Sequence, residues 1–365
     1  MGAASRIEEF LASHVAAGDF PGASYLVAEG GRILGEGAVG HAVLDPERIA
    51  AAPSTIYDLA SLTKPLATAV ILVQCQSEGR LRLDDPLARH LPAWAAAPDD
   101  RTGISLLDLL THRSGLPAWK PLYLYASDRQ ARIEWLVRAP LAGPPGRDVV
   151  YSDLGYMLLG FVLEEVAGAP LDRLFAERVA GRLGTSDLLF RPKAQRRRRI
   201  AATEAGNRRE RDLAGPDGEG YNGWRTGMIW GEVHDGNAYA LGGTAGHAGL
   251  FGTARAVLAV ASEFGGGRRG VVPADKGDLF RRSLTPGLAE ERAVGFQMAS
   301  SPGSSAGPAL SNDSFGHAGF TGTSLWIDPE SRRVYILLTN RVHPRFREMN
   351  MNAIRRDFHE VAAAL

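Results

Sequence analysis

The amino-acid sequence predicts an α+β protein. A mixed, mainly antiparallel sheet should be flanked by terminal helices, with a helical insertion between its two halves. Pairs of strand patterns lie near opposite ends of the chain, at 24–39 and 322–339. Apolar residues at helical spacing occur at both termini, and helical patterns dominate the middle. Since neither end supplies a whole sheet, we expect the two ends to share one.

The N-terminal elements follow from periodicity and one turn signal. Apolar residues at positions 7, 10, 11 and 15 share one face of a helix predicted over 5–17. Residues 24–28 and 32–39 predict two strands. Gly30-Gly31 joins them, and glycine pairs favour the tight turns of β-hairpins. The sequence therefore predicts a helix followed by a hairpin.

The C-terminal elements mirror this arrangement. Residues 322–327 and 333–339 predict a second strand pair around Asp328-Pro329-Glu330. Apolar residues at 354, 358, 361 and 365 then share one helical face. We expect a discontinuous sheet domain of residues 1–60 and 255–365, a mainly helical domain of residues 61–254, and a functional site at their interface.

Three helices are predicted in the middle of the chain. Apolar spacing after Ser61 predicts a buried helix ending near Gly79. Ser105 through Asp108 is a capping-box variant that should open a short helix. Ser152 or Asp153 should cap a helix that ends at Gly168.

Composition excludes several classes of partner. The chain has 365 residues, with 41 basic and 41 acidic side chains and no formal net charge. This balance gives no reason to expect nucleic acid or an anionic membrane. No apolar run of about 18 residues predicts a membrane span. The N-terminus lacks the apolar segment of a secretion signal, so we expect a cytoplasmic protein as the chain stands, or a periplasmic one if a leader was removed.

The most informative motif is Ser61-Leu62-Thr63-Lys64. Positions three apart on a helix share a face, so the Lys64 amine can reach the Ser61 hydroxyl. Serine near neutral pH needs an adjacent base to act as a nucleophile, and a lysine whose pKa is lowered by burial or by cationic neighbours can serve. Taken alone, this spacing is also typical of an ordinary N-capped helix.

Two further motifs follow Ser61-Lys64 along the chain. Tyr151-Ser152-Asp153 directly precedes a predicted helix, and His317-Ala318-Gly319 leads through Phe320 into a predicted strand. With these three motifs the chain resembles the serine β-lactamase-like hydrolases, which include class C β-lactamases, penicillin-binding proteins, D,D-peptidases, D-aminopeptidases and related esterases. The resemblance covers about residues 20–340 and implies the β-lactamase/penicillin-binding-protein-like fold.

The resemblance implies a role for each motif residue. Ser61 would attack a carbonyl and become acylated, while Lys64 or Tyr151 would be the base. The backbone N–H groups of Ser61 and Phe320 would stabilise the oxyanion, because unpaired donors at a helix N-terminus favour negative charge. His317 would be a catalytic residue of the third motif, with Gly319 beside it. No metal or organic cofactor is implied.

Two positions depart from the β-lactamase pattern. His317 replaces a lysine, so a permanent cation becomes a group that titrates near pKa ~6.5. Asp153 replaces an asparagine and is either a substrate contact or only a helix cap. Since both changes weaken binding of an anionic β-lactam, we expect weak or absent β-lactam turnover.

A glycine-rich segment runs from Val233 to Phe251 and contains His234, Asp235 and His247. Three such side chains could bind a metal, but metal sites need three or four convergent ligands and the glycines indicate tight turns instead. We interpret the segment as a wall of the cleft, with His234 or Asn237 possible contacts to substrate.

The leading hypothesis is a serine hydrolase that acts on small carboxylic esters or on D-amino-acid amides and peptides. One alternative is a D,D-carboxypeptidase or class C-like β-lactamase. Another is an inactive module that binds penicillin or peptidoglycan. The presence of Ser61, Lys64, Tyr151 and His317 together favours the enzyme.

Overall fold

A computed structural model describes residues 3–365 of the chain. Its main feature is a seven-stranded sheet of order β3-β2-β1-β10-β9-β8-β7, in which every pairing is antiparallel. The strands of this sheet are β1 (Gly22–Glu29), β2 (Arg32–Val43), β3 (Ile49–Ala50), β7 (Gln297–Met298), β8 (Phe315–Ala318), β9 (Ser324–Asp328) and β10 (Arg333–Thr339). The two ends of the chain meet where β1 pairs with β10, which confirms the predicted shared sheet.

Thirteen α-helices occur among residues 3–365. They are α1 (Ala3–Ala17), α2 (Val70–Ser77), α3 (Leu106–Leu110), α4 (Leu122–Tyr125), α5 (Arg129–Arg138), α6 (Asp153–Ala167), α7 (Leu171–Phe175), α8 (Gly181–Leu183), α9 (Arg208–Ala214), α10 (Gly236–Ala240), α11 (Ala254–Phe264), α12 (Asp278–Arg281) and α13 (Met351–Ala362). Terminal helices α1 and α13 pack together on one face of the large sheet. The inserted helices and α11 lie with the larger core cluster on the other face.

Local sequence explains where several elements begin and end. Gly30 and Gly31 both have positive φ, 56° and 87°, as the turn between β1 and β2 requires. Ser105 caps α3 with a full capping box to Asp108. Gly168 ends α6 in the left-handed conformation, at φ 68°. These boundaries agree with the patterns in the sequence.

Several elements are absent from the sequence-based prediction, and the second sheet is the one that bears on the site. A second, three-stranded antiparallel sheet has the order β4-β6-β5, with β4 (Tyr57–Asp58), β5 (Leu188–Phe190) and β6 (Leu250–Gly252). These strands are only two or three residues long, so they carry too little alternation to be recognised. The predicted α+β class is confirmed, and the exact division into residues 1–60 with 255–365 and residues 61–254 stays a prediction.

Within residues 3–365, no individual helix has the length and apolarity to cross a bilayer. One pair of helical segments, Asp153–Ala167 and Leu171–Leu183, meets the criterion jointly by length and composition, with a bend of 77° between them.

Candidate active site

Ser61 is held at the point where the small sheet meets a helix. The N–H of Leu59 donates to the Leu250 carbonyl, 2.9 Å away, and so continues the pairing of β4 with β6. Ala60 adopts φ 47°, and its N–H donates to Asp58 Oδ1 at 2.9 Å. A 3₁₀ turn over Ala60–Leu62 then leads into a π-helical stretch, Lys64–Ala69, and on to α2. This strained entry presents the Ser61 side chain on the same face as Lys64.

Lys64 is completely buried, and its ammonium contacts three parts of the chain. Nζ lies 2.8 Å from Ser61 Oγ and 2.6 Å from Asp153 Oδ1, and it donates to the His247 carbonyl at 3.2 Å. The predicted pairing of Ser61 with Lys64 is therefore present in the structure.

Tyr151 lies against the same ammonium. Its ring centroid is 5.0 Å from Lys64 Nζ, and both Lys64 and Ser61 act to lower the pKa of its hydroxyl. His112 orders the Tyr151 loop: its Nδ1 accepts the Ser152 N–H at 3.0 Å, and its ring lies 4.4 Å from the Tyr151 ring. His112 thus has the loop-ordering role of a buried, neutral imidazole.

The charges of this centre differ from those expected for a lysine base. Burial lowers the pKa of Lys64, but the Asp153 carboxylate and Tyr151 outweigh burial, and the net pKa is raised. Burial also raises the pKa of Tyr151, and Asp153 adds to it, although Lys64 acts in the opposite direction. The raised pKa of Lys64 is the opposite of the lowered pKa that the sequence suggested for a lysine base. The resting site holds a charged lysine and a neutral phenol.

Asp153 has a use that the sequence did not indicate. Ser152 caps α6, since its side chain accepts the Gly155 N–H at 3.1 Å. The suggestion that Asp153 is only a helix cap is wrong, because its carboxylate pairs with Lys64. Asp153 also lines the cleft next to Ser61, so a contact with substrate stays a prediction.

His317 is neutral in this site. It is 4% exposed, and burial together with the charges of Lys64 and Arg292 holds its pKa well below the ordinary value. Nδ1 lies 2.8 Å from the Ala318 carbonyl, which requires the proton on Nδ1 and leaves Nε2 as an acceptor. The expectation of a group that titrates near pH ~6.5 is therefore wrong.

The segment after His317 is hydrogen-bonded to the backbone that precedes Ser61. Thr321 Oγ1 donates to the Asp58 carbonyl at 2.8 Å, and Thr323 Oγ1 donates to the Leu59 carbonyl at 3.1 Å. A Cβ on Gly319 would lie 2.1 Å from Thr323 Oγ1, so this position accepts only glycine. The two threonines hold the segment that contains Phe320 beside the Ser61 turn, and the oxyanion role of the Phe320 N–H stays a prediction.

Ser61 opens into a cleft of about 200 Å³. The glycine-rich segment forms one wall, as predicted, through His234, Asp235 and His247. His234 pairs with Glu204 at 3.0 Å, whereas His247 pairs with Asp235 at 2.9 Å. Because the two imidazoles serve separate carboxylates, they do not converge. Within residues 3–365, no three His, Cys, Asp or Glu side chains form a group suited to a metal ion.

Asn237 does not face this cleft. Its side chain is 1% exposed, accepts the Leu122 N–H at 2.8 Å and donates to the Lys120 carbonyl at 2.8 Å. Both ends of the amide are used to fix the loop before α4. The suggestion that Asn237 contacts substrate is therefore wrong.

Arg292 is a further member of the site that the sequence did not reveal. Its guanidinium lies 5.4 Å from the Tyr151 ring centroid and pairs with Glu290 at 2.5 Å. It is 5% exposed and contributes to the lowered pKa of both His112 and His317. Arg292 comes from a loop without a motif, so only the fold brings it to Tyr151.

Comparison with known proteins places this chain in a family. The family model named Beta-lactamase matches residues 7–358. A protein named as a D-alanyl-D-alanine carboxypeptidase in Escherichia coli K12 is 33% identical, over 93% of this chain and 82% of its own length. The N-acetylmuramyl-L-alanine amidase of Bacillus subtilis strain 168 is also 33% identical, over 93% of this chain and 81% of its own length.

Solved structures agree in fold. EstCE1, a hydrolase with promiscuous acyltransferase activity, superposes with a TM-score of 0.77 and 24% identity, over 99% of this chain and 98% of its own. A class C beta-lactamase superposes with a TM-score of 0.76 and 15% identity, over 98% and 95%. At these identities the structures establish the shared fold alone.

The neutral state of His317 makes a prediction for stability. The pKa of His317 in the folded protein lies below its unfolded value of ~6.5. Neutral His317 therefore contributes to the free energy of unfolding above that pH. This contribution is lost as the pH falls, because only the unfolded chain gains the proton. Relative to His317→Asn, the wild-type free energy of unfolding should decrease by about 2 kcal/mol between pH 7 and pH 5. Urea denaturation of both proteins at each pH measures this change, and a difference independent of pH would contradict it.

Proposed function

This chain belongs to the beta-lactamase family and is a serine hydrolase, and we propose that it cleaves amide bonds in peptides of the bacterial cell wall through an acyl-enzyme on Ser61. One observation carries the proposal. Lys64 Nζ lies 2.8 Å from Ser61 Oγ, and Ser61 lines the cleft while Lys64 is buried behind it.

The reaction would proceed in two halves. Ser61 Oγ bonds to the substrate carbonyl carbon and gives up its proton to Lys64 or Tyr151. The N–H groups of Ser61 and Phe320 donate hydrogen bonds to the oxyanion that forms. The tetrahedral species then expels the amine, which takes a proton from Tyr151. Water repeats the sequence on the acyl-enzyme and releases the acid.

Protonation of the resting site sets a condition on this reaction. Lys64 and Tyr151 both have raised pKa values, so each holds its proton at neutral pH. The pair must lose one proton before Ser61 can transfer its own. We therefore expect kcat/KM to rise as the pH becomes alkaline, whichever of the two residues is the base.

The proposed substrate class rests on the curated relatives. Their names describe a D-alanyl-D-alanine carboxypeptidase and an N-acetylmuramyl-L-alanine amidase, which both cleave amide bonds next to an alanine. Identity of 33% over 93% of the chain supports transfer of this general chemistry. Activated esters should serve as convenient substrates, because an aryl alcohol leaves more readily than an amine.

Neutral His317 bears on β-lactams. A lysine at this position would present a permanent cation, whereas His317 presents only an acceptor nitrogen. Weak β-lactam turnover therefore stays our expectation. The alternative of an inactive binding module is disfavoured by the contact between Ser61 and Lys64.

Replacement of the nucleophile tests the proposal. Ser61→Ala should lower kcat/KM for a short-chain 4-nitrophenyl ester by more than about 1,000-fold, because the covalent route is lost. Intact-protein mass spectrometry should show an acyl adduct on the wild type and none on the variant. Ser54→Ala removes an exposed serine and is the matched control. Equal hydrolysis by wild type and Ser61→Ala would refute the acyl-enzyme on Ser61.

Asp153 supplies a second test. Asp153→Asn removes the carboxylate that raises the pKa of both Lys64 and Tyr151, so the alkaline rise of kcat/KM should move to lower pH. Complete pH–rate profiles of wild type and variant measure this shift. Asp148→Asn removes an exposed carboxylate from the same loop and should leave the profile in place. A profile that stays in place or moves to higher pH in Asp153→Asn would contradict the assigned charges.

A further inference from the structure

The rim of the cleft carries exposed aromatic surface. Phe320 is 38% exposed and lines the cleft together with Ser61. Its ring stacks on Phe346 with centroids 5.3 Å apart and planes 7° apart, and on the His234 ring at 5.6 Å. The three rings form one continuous stack from the cleft wall to the surface.

Two arginines flank this stack. The Arg209 guanidinium lies 4.8 Å from the Phe346 centroid and lines the cleft. The Arg341 guanidinium lies 5.1 Å from Phe320 and 5.3 Å from Phe346, and its Nε donates to the Phe320 carbonyl at 2.7 Å. Planar guanidinium groups on aromatic faces keep their remaining N–H donors directed outward.

Neither arginine is neutralised by a buried acid. Among residues 3–365, Arg341 has no carboxylate within 4.0 Å, and Arg209 has only the 81%-exposed Glu348, at 3.5 Å. A surface pair of this kind contributes little. Burial, and next the charge of Arg209, lower the pKa of Arg341 to about 10. Arg355, which donates to the Gly319 and Thr323 carbonyls behind the same loop, adds a third cation.

Four acidic side chains line the cleft, and each already has partners. Asp153 pairs with Lys64, and Asp58 accepts the N–H groups of Ala60 and His234. Asp235 pairs with His247. Glu210 accepts from the Gly236 N–H and the Tyr123 hydroxyl, and burial followed by the Asp235 charge raises its pKa to about 7. Arg209 therefore lines the cleft without a buried carboxylate partner.

The residues that line the cleft indicate which part of the substrate lies beside the stacked rings. Tyr151 and His317 are not among the residues that line the cleft, whereas Asp153, Arg209 and Phe320 are. A substrate whose leaving group lies towards Tyr151 would place its acyl portion in the cleft, beside the stacked rings.

We propose that Arg209, which lines the cleft and shares the Phe346 ring with Arg341, binds a carboxylate on the acyl portion of the substrate, so that the protein prefers acidic acyl donors. This inference rests on the proposed function and specifies its substrate. A carboxylate at the Arg209 guanidinium would receive charge-assisted hydrogen bonds and offset the charge that Arg209 exerts on Arg341.

Matched esters test the preference directly. The mono-4-nitrophenyl esters of adipic and suberic acids carry a terminal carboxylate, and their terminal-amide analogues have the same length without the charge. We expect the wild type to have the higher kcat/KM for the acids. In Arg209→Gln the acid-to-amide ratio should fall by about tenfold, the scale of one charge-assisted hydrogen bond. Arg209→Lys should restore part of the ratio, because it keeps the charge but loses the planar fork.

The control is Arg208→Gln, which removes an equal charge from the adjacent, exposed position and should leave the ratio as in the wild type. An acid-to-amide ratio near one for both chain lengths, unchanged in Arg209→Gln, would overturn the subsite. An equal fall of the ratio in Arg208→Gln would also overturn it, since general surface charge would then be the cause.

A binding measurement separates this proposal from the catalytic one. Calorimetry with free adipate and adipamide on Ser61→Ala needs no turnover. Tighter binding of adipate, weakened in Ser61→Ala/Arg209→Gln, would support the subsite even if no ester were hydrolysed through Ser61, and only the acyl-enzyme proposal would then fail. Equal binding of adipate and adipamide would overturn the subsite while leaving Ser61 catalysis intact.

Discussion

The buried ammonium of Lys64 is the interaction on which the site depends. An ammonium taken out of water costs several kcal/mol unless it is paired and hydrogen-bonded. Its partners here come from three distant parts of the chain: the Ser61 hydroxyl, the Asp153 carboxylate and the His247 carbonyl. One cation thus joins the start of the α2 region, the start of α6 and the glycine-rich segment. The same contacts that compensate its burial align the nucleophile.

Close backbone approach makes this meeting possible. A Cβ on Gly246 would lie 2.1 Å from the Tyr156 carbonyl, so only glycine lets this segment pack on α6. Thr68 Oγ1 donates to the Gly246 carbonyl at 2.7 Å and ties the segment to the π-helical turn after Lys64. Pairing of β6 with β4 fixes the other end of the segment. Gly246 therefore serves the close packing of this segment on α6.

Charge is distributed unequally around Ser61. On the side of Tyr151, the imidazoles of His112 and His317 are neutral, because they are buried beside Lys64 and Arg292. On the side of the cleft, Arg209 lies on the stacked aromatic rings, with Arg341 packed against the same rings. Anion recognition would thus have moved from the third motif, where related enzymes have a lysine, to the acyl side of the site.

The sequence by itself determined the terminal helices, the two strand pairs, the helices that follow Ser61, Ser105 and Ser152, and the three motifs. The glycine pair, the helix caps and the apolar periodicity predicted the hairpins and the main helices, because these features depend on neighbours close in sequence. Spacing also predicted the pairing of Ser61 with Lys64. Only the tertiary structure decided which charges these groups carry. The use of Asp153 as the partner of Lys64, the neutrality of His317 and the position of Arg292 depend on burial and on contacts between segments more than 80 residues apart. No local pattern encodes such distances, and the short strands of the second sheet are determined in the same way.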